Sequence, residues 1–179
     1  MALKPPEEVL DAVVAAVAPA RSVRVGLRWE QRERYHLTLQ FLGPVQKLAP
    51  VIDGLAAAVR DREAFSFRLG GAGAFPKPGR ARVVWMGAAV GGPDVVALAG
   101  AIADGLRPVG YEPDRKGLHP HLTLARLKVP DNVSDVLAAI GRDAVGEPFR
   151  VGEVVLYQSR LSSKGPTYVA LERFPLRDP

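Results

Sequence analysis

The amino-acid sequence predicts an α+β fold in which two pseudo-symmetric lobes, each with a mostly antiparallel sheet and flanking helices, surround a central cleft. Segments with helical spacing of apolar residues alternate with segments of two-residue alternation, and the tetrapeptide HLTL occurs twice, at residues 36–39 and 121–124. Each half holds one copy, a helix and a pair of strands. Neither a long linker nor a low-complexity segment divides the chain, so we expect residues 1–179 to form a single two-lobed domain.

The first predicted element is a helix near the N-terminus. Two prolines and two glutamates at positions 5–8 are typical of a first helical turn, where a missing N–H is harmless and carboxylates face the positive end of the helix dipole. Apolar residues at helical spacing continue to Val17, and Pro19 is expected to end the helix.

The first HLTL copy lies in a predicted strand over residues 35–41. Apolar side chains occupy the alternate positions Tyr35, Leu37, Leu39 and Phe41. The polar side chains of His36, Thr38 and Gln40 point the other way, so this strand has one apolar and one polar face.

Turn-rich stretches divide the rest of the chain into further elements. In the first half they predict a helix over about 48–62, strands over 65–75 and 82–90, and a helix over about 93–106. In the second half they predict a strand over 119–127, a short helix over 132–141, and a closing hairpin made of strands over 153–161 and 166–176.

Composition excludes several classes of function. The chain has no cysteine, which removes disulfides, thiolate nucleophiles, iron–sulfur clusters and cysteine-based zinc sites. The acidic N-terminus is unlike a secretion signal and no long apolar run is present, so we expect a cytoplasmic protein with no membrane partner. The net charge of +5 favours phosphate-bearing partners, and the absence of a Walker-type glycine-rich loop argues against ATP binding.

The two HLTL copies carry the strongest functional signal, because two of the three histidines in the chain open an identical tetrapeptide. Residues i and i+2 of a strand share a face, so His36 lies beside Thr38 and His121 lies beside Thr123. Two imidazoles across a cleft suit in-line attack at phosphorus, in which one takes a proton from the nucleophile and the other gives a proton to the leaving oxygen. The threonine hydroxyls can donate to the phosphate oxygens, and no metal is needed.

The motifs resemble those of the two-histidine phosphoesterase superfamily, which is defined by two His-x-Thr-x motifs. Over nearly the whole chain, the sequence is similar to the RNA 2′,3′-cyclic phosphodiesterases, historically called 2′-5′ RNA ligases. The segments that carry this resemblance, in that family's order, are HLTLQFLG, GAFPKPGRARVVWMG, HPHLTLAR and LYQSRLSSKGPTYVALERFPL.

The resemblance implies an enzyme without metal or cofactor that hydrolyses a 2′,3′-cyclic phosphate at the end of RNA to a 2′-phosphomonoester. It implies that His36 is the proton donor to the departing 3′ oxygen and that His121 is the base that activates water. The reverse reaction, with an RNA 5′-hydroxyl as nucleophile, would make a 2′-5′ linkage without ATP. We expect the enzyme to be a monomer. Members of the family usually begin with an apolar strand, of which only residues 1–3 are present here, so either the first lobe lacks part of an edge strand or the true start lies upstream.

Five further residues are possible substrate contacts: Arg126, His119, Phe75, Arg82 and Tyr157. Strict alternation from His121 puts Arg126 on the opposite face unless a bulge intervenes, so both a phosphate contact and a structural ion pair stay open.

Each of the other four positions also has two interpretations. His119 either lines the cleft or lies in an exposed loop. Phe75 and Tyr157, like Trp85, either stack on a base or belong to the core. Arg82 lies in a basic loop that either steers RNA or is merely solvated.

Two other functions are alternatives. A metal-dependent hydrolase could use His36, His119 and His121 as ligands, although that leaves the threonines without a role. A non-catalytic RNA-binding module would keep its affinity for RNA after both motif histidines are replaced.

Overall fold

The computed structural model describes residues 1–24, 26–111, 117–162 and 165–178, and it confirms the α+β class. Its helices are α1 (Glu7–Val23), α2 (Leu48–Val59), α3 (Gly92–Leu106) and α4 (Ser134–Ile140). Its strands are β1 (Ala2–Leu3), β2 (Arg28–Trp29), β3 (Leu37–Thr38), β4 (Phe65–Phe75), β5 (Ala81–Val90), β6 (Leu122–Asp131), β7 (Ala144–Val151), β8 (Glu153–Ser162) and β9 (Gly165–Pro175).

The strands pair antiparallel in one continuous path, in the order β7-β4-β5-β6-β3-β1-β8-β9, with β2 added beside β6. The two expected sheets are therefore joined, and the join runs through the two-residue strands β3 and β1. The motif strand of the second half, β6, lies against β5 of the first half. The motif strand of the first half, β3, reaches β8 of the second half through β1. Each motif strand thus lies beside strands from the other half of the sequence.

The helices cover the apolar face of this sheet. Helix α1 packs against α4 and β7, while α2 packs against α3 and β9. Apolar residues at helical spacing, such as Val9 and Val13 of α1 and Leu55 of α2, are fully or nearly fully buried in the same core cluster as Leu37 and Leu122. The polar side chains of the motif strands consequently project from the opposite face. No helix within the described ranges is long and apolar enough to cross a membrane.

Two expectations about single residues were wrong. Helix α1 continues through Pro19. The proline cannot donate a hydrogen bond to the carbonyl of Ala15, but both residues are exposed, so water can reach that carbonyl. Burial of Ala20 favours a further helical turn. Phe41 does not follow the apolar face, since its side chain is 80% exposed. Strand β3 ends at Thr38, and the alternation holds only as far as Leu39.

Two strands also differ from the sequence analysis. Residues 1–3 do not form an edge strand: Ala2 of β1 pairs with both Thr38 and Val155, in the interior of the sheet. Strand β7 was not predicted, because Gly146 and Pro148 interrupt its alternation. Its place at the edge of the sheet, beside β4 alone, explains why it tolerates a proline.

Candidate active site

The two HLTL copies meet across a single strand pair. Leu37 of β3 is the register partner of Leu122 of β6, and both side chains are fully buried. Continuing this antiparallel register by one residue on either side sets His36 opposite Thr123 and Thr38 opposite His121. Directly opposite residues share a face, so the two imidazoles and the two hydroxyls form one cluster on the polar face of the sheet.

Both imidazoles are oriented by the same local hydrogen bond. Nδ1 of His36 lies 2.7 Å from the carbonyl oxygen of Arg34, and Nδ1 of His121 lies 2.7 Å from the carbonyl oxygen of His119. A carbonyl can only accept, so in each ring Nδ1 carries the hydrogen and donates it. The neutral tautomer therefore leaves the lone pair on Nε2, which is the nitrogen available to a substrate in both rings.

Burial disfavours the charged form of both histidines. Burial is the largest effect on His36 and lowers its pKa below the usual value. The hydrogen bond to the Arg34 carbonyl raises this pKa, the Met1 α-amino group and Lys4 lower it, and Glu30 raises it. Burial also lowers the pKa of His121, against the hydrogen bond to the His119 carbonyl, and the nearby charges of His119 and Arg126 lower it further. Glu30 is thus the carboxylate that favours a charged His36.

Aromatic rings from the first half of the chain wall the second histidine. The ring centroid of Phe75 lies 5.0 Å from that of His121, in an edge-to-face arrangement. Trp85 lies 5.1 Å from Phe75 and 4.6 Å from His119. Phe75 and Trp85 are therefore placed where a base could stack, and His119, although exposed, contacts this wall through Trp85.

The first histidine is walled by a residue that the sequence analysis missed. Tyr168 of β9 lies 4.7 Å from His36, edge to face. Tyr157, one of the predicted substrate contacts, has its ring centroid 6.2 Å from that of Tyr168. The register of the β8–β9 hairpin, in which Ser159 pairs with Tyr168, brings this ring to the cleft face, and a single sequence does not reveal that register.

Arg126 lies on the cleft face because β6 contains a bulge. On neighbouring β5, Val84 pairs with Ala125 but Trp85 pairs with Thr123, so Leu124 is an extra residue. Leu124 and Ala125 are both fully buried, which resets the alternation and returns Arg126 to the face of Thr123. Nε of Arg126 also donates to Glu30 Oε1 at 3.1 Å, so the guanidinium is both on the cleft face and part of an ion pair.

The remaining candidates lie outside this cluster. Arg82 is exposed, and its guanidinium lies 3.5 Å from the carbonyl oxygen of Lys128, toward the far end of β6. In the part of the chain that the structure describes, no group of three or more His, Asp or Glu side chains is arranged to hold a metal ion. A three-histidine metal site therefore has no ligand set there.

Comparison with known proteins identifies the family. Residues 6–162 match the 2′-5′ RNA ligase superfamily. The chain is 35% identical over 151 residues to the RNA 2′,3′-cyclic phosphodiesterase of Aeropyrum pernix, an alignment that covers 82% of this chain and 85% of the relative.

Solved structures extend the match to the whole fold. The crystal structure of TT0787 of Thermus thermophilus superimposes with a TM-score of 0.81 at 32% identity, covering 99% of this chain and 96% of that one. Escherichia coli LigT complexed with 3′-AMP gives a TM-score of 0.75 at 25% identity, covering 98% and 95% of the two chains. The chain therefore belongs to the 2′-5′ RNA ligase superfamily, the two-histidine phosphoesterases that its paired His-x-Thr motifs predicted.

Proposed function

We propose that this protein is an RNA 2′,3′-cyclic phosphodiesterase that opens a terminal cyclic phosphate to a 2′-phosphomonoester without a metal ion or a nucleotide cofactor. The observation that carries the proposal is the matched pair of imidazoles, each with Nδ1 engaged by a backbone carbonyl and Nε2 left for chemistry. The relative from Aeropyrum pernix bears the name of this activity, and the LigT structure contains a nucleoside monophosphate.

The chemical step needs one neutral and one charged histidine. Nε2 of neutral His121 takes a proton from water as the water oxygen bonds to phosphorus. The bond from phosphorus to the 3′ oxygen breaks, and charged His36 gives its Nε2 proton to that oxygen. Thr38 and Thr123 donate hydrogen bonds to the non-bridging oxygens, where negative charge develops.

Of the charges around the two rings, those at His121 support this division of roles, whereas at His36 the effects of the Met1 α-amino group and Lys4, which lower the pKa, exceed the effect of Glu30, which raises it. Glu30 favours the charged form of His36, which is the form a proton donor needs. Arg126 disfavours the charged form of His121, which keeps a base neutral. The Met1 α-amino group and Lys4 act against a charged His36, so the anionic phosphate of the bound substrate has to stabilise the imidazolium as well.

The same residues would serve the reverse reaction. An RNA 5′-hydroxyl in the place of water would form a 2′-5′ linkage without ATP, with the roles of the two histidines exchanged between directions. One copy of the chain carries both histidines and both walls, so we propose that residues 1–179 act as a single domain and as a monomer.

The test is hydrolysis of a short RNA that ends in a 2′,3′-cyclic phosphate, in EDTA, by the wild type, His36→Ala and His121→Ala. We expect a 2′-phosphate product, and we expect the rate of hydrolysis to fall by about a hundredfold or more in each variant. His119→Ala is the matched control, because it keeps the backbone carbonyl that orients His121 and should lose far less.

Two outcomes would contradict the proposal. Activity that disappears in EDTA and returns with zinc would establish a metal-dependent hydrolase. RNA binding without turnover by the wild type, unchanged when both motif histidines are alanine, would establish a binding module.

A further inference from the structure

Lys4 lies beside His36 although its charge opposes the role proposed for that histidine. Leu3 is the register partner of Leu37, so Lys4, which follows Leu3, comes next to His36, which precedes Leu37. Burial, and then nearby positive charges that include Lys4, lower the pKa of His36 and so disfavour the protonated form that a proton donor needs. A lysine at this place is therefore expected to contribute something other than its charge.

The ammonium group of Lys4 bonds to two backbone carbonyls in the turn before His36. Nζ donates to the carbonyl oxygens of Glu33 and Tyr35, each at 3.1 Å. Between these two residues lies Arg34, whose carbonyl accepts the Nδ1–H of His36 at 2.7 Å. Because each peptide unit is planar, fixing the carbonyls on both sides limits the rotation of the unit between them. Lys4 thus holds in place the group that orients His36.

The turn has little structure of its own to fix that carbonyl. Residues Arg32–Arg34 form a single 3₁₀ turn, in which hydrogen-bond geometry is poorer than in an α-helix. A second support comes from Arg32, which donates to the carboxylates of Glu7 and Asp11 in the first turns of α1. Lys4 precedes a proline, which restricts its backbone to extended conformations and so limits where its side chain can lie. Two cationic side chains therefore fasten the turn to the N-terminal segment.

We propose that Lys4 is a positioning residue of the active site: by holding the carbonyls on both sides of Arg34, it keeps the His36 imidazole turned so that Nε2 faces the leaving 3′ oxygen. This inference rests on the proposed function, in which His36 is the proton donor. Lys4 contacts no reacting atom and acts through the Arg34 carbonyl. Orientation outweighs the opposing effect of the charge, because a misplacement of about 1 Å can lower a rate by about a hundredfold.

The two effects of Lys4 predict opposite changes in rate, so Lys4→Met separates them. Methionine has a similar length but neither the charge nor the donors. If the charge alone mattered, its removal would raise the pKa of His36 and would raise kcat or leave it unchanged. We expect instead that kcat for the short RNA with a terminal 2′,3′-cyclic phosphate falls about tenfold, with little change in KM. Lys47→Met is the control, because this exposed lysine just before α2 makes no capping hydrogen bond, and kcat should not change.

NMR of the imidazole nitrogens measures the orientation of His36 without turnover. The chain has three histidines, and the ¹⁵N shifts of each ring show which nitrogen carries the hydrogen. At a pH where the rings are neutral, wild-type His36 should carry it on Nδ1. Lys4→Met should move part of the His36 population to the Nε2–H tautomer. His121 is the internal reference, since the carbonyl of His119 orients it, and its signals should not change.

Arg32→Met keeps the test decisive if Lys4→Met does not fold. It loosens the same turn from its other side and should change kcat and the His36 signals in the same direction, by less because exposed ion pairs are weak. An unchanged or raised kcat in Lys4→Met, or a lowered kcat with unchanged His36 signals, would overturn the inference. Failure of the wild type to hydrolyse the cyclic phosphate would instead refute the proposed function, and the NMR measurement would still decide whether Lys4 orients His36.

Discussion

The two motif histidines have the same sequence around them and different surroundings. His36 and His121 each begin an HLTL copy and each donate Nδ1–H to the carbonyl two residues earlier. His121, however, faces the aromatic wall of Phe75 and Trp85, while His36 faces Tyr168 and has Glu30 nearby. The hydrogen bond that both histidines share orients the two rings. The different neighbours of the two rings are what can make one an acid and the other a base.

The walls also come from the opposite halves of the chain. Tyr168, in the second half, covers the histidine of the first half, and Phe75, in the first half, covers the histidine of the second. Neither half therefore contains a finished site. The similarity of the two halves explains why the two HLTL motifs pair. Because each histidine is covered by a different aromatic residue from the other half, the two imidazoles are not chemically equivalent.

The largest expected effect would separate the two histidines by the leaving group. With sulfur in place of the bridging 3′ oxygen, departure needs no proton, because a thiolate is a far weaker base than an alkoxide. His36→Gln should lose about a hundredfold on the oxygen substrate and regain most of that loss on the sulfur substrate, whereas His121→Gln should lose about a hundredfold on both. Thiol release is the readout, and rescue of His121→Gln alone would reverse the assigned roles.

The second prediction breaks the wall of His121. A Cβ at Gly73 would lie 2.2 Å from the ring of Trp85, so the indole would have to move. Gly73→Ala should lower the free energy of unfolding by about 1–3 kcal/mol, measured with urea. Gly79→Ala, where a Cβ would meet nothing within 4 Å, is the control and should change stability little. Coincident unfolding curves for the two variants would mean that the indole is not held in place.

The third prediction concerns the wall of His36. Tyr168→Ala removes the ring that packs edge to face on this imidazole, and such contacts contribute about 0.5–1.5 kcal/mol. We expect kcat to fall roughly two- to tenfold with little change in KM, as for a positioning residue. Tyr168→Phe keeps the ring and should restore kcat. Failure of phenylalanine to do so would assign the role to the hydroxyl.

The smallest expected effect is on stability as a function of pH. The pKa values of His36 and His121 are lowered in the folded state, so the unfolded chain binds more protons between those values and about 6.5. Stability must therefore rise with pH across that window and be lost as the pH falls through it. His36→Gln should weaken this slope, measured by urea unfolding from about pH 5 to 7.5. An unaltered slope in His36→Gln would contradict burial as the cause.

Much of the fold follows from local pattern. Strand β4 lies over the predicted residues, and α2, α3 and β5 match within a few residues at their ends. In these segments the apolar period and the flanking turn residues agree. The His-x-Thr alternation likewise placed both polar pairs away from the core, because the leucines between them fix the face.

The failures occur where long-range contacts override local pattern. Burial of Ala20 carried α1 past Pro19, and pairing with two interior strands made residues 1–3 part of the centre of the sheet. The bulge at Leu124 was not predictable from a run of apolar letters, although the sequence did show that Arg126 needed one. Tyr168 and Glu30 were missed because each lies far along the chain from the histidine or arginine that it contacts, and only the assembled sheet brings them together.

The pairing of Leu37 with Leu122 bears on the origin of the chain. Two identical tetrapeptides, antiparallel and paired at the same residue, are what a two-fold axis produces from two copies of one short polypeptide. In such a homodimer both histidines would be encoded by the same codon. Any substitution that made one histidine a better acid would therefore change the histidine that acts as the base in the same way. Joining the copies into one gene removes that constraint, and the unlike walls around His36 and His121 are what a fused chain is free to acquire.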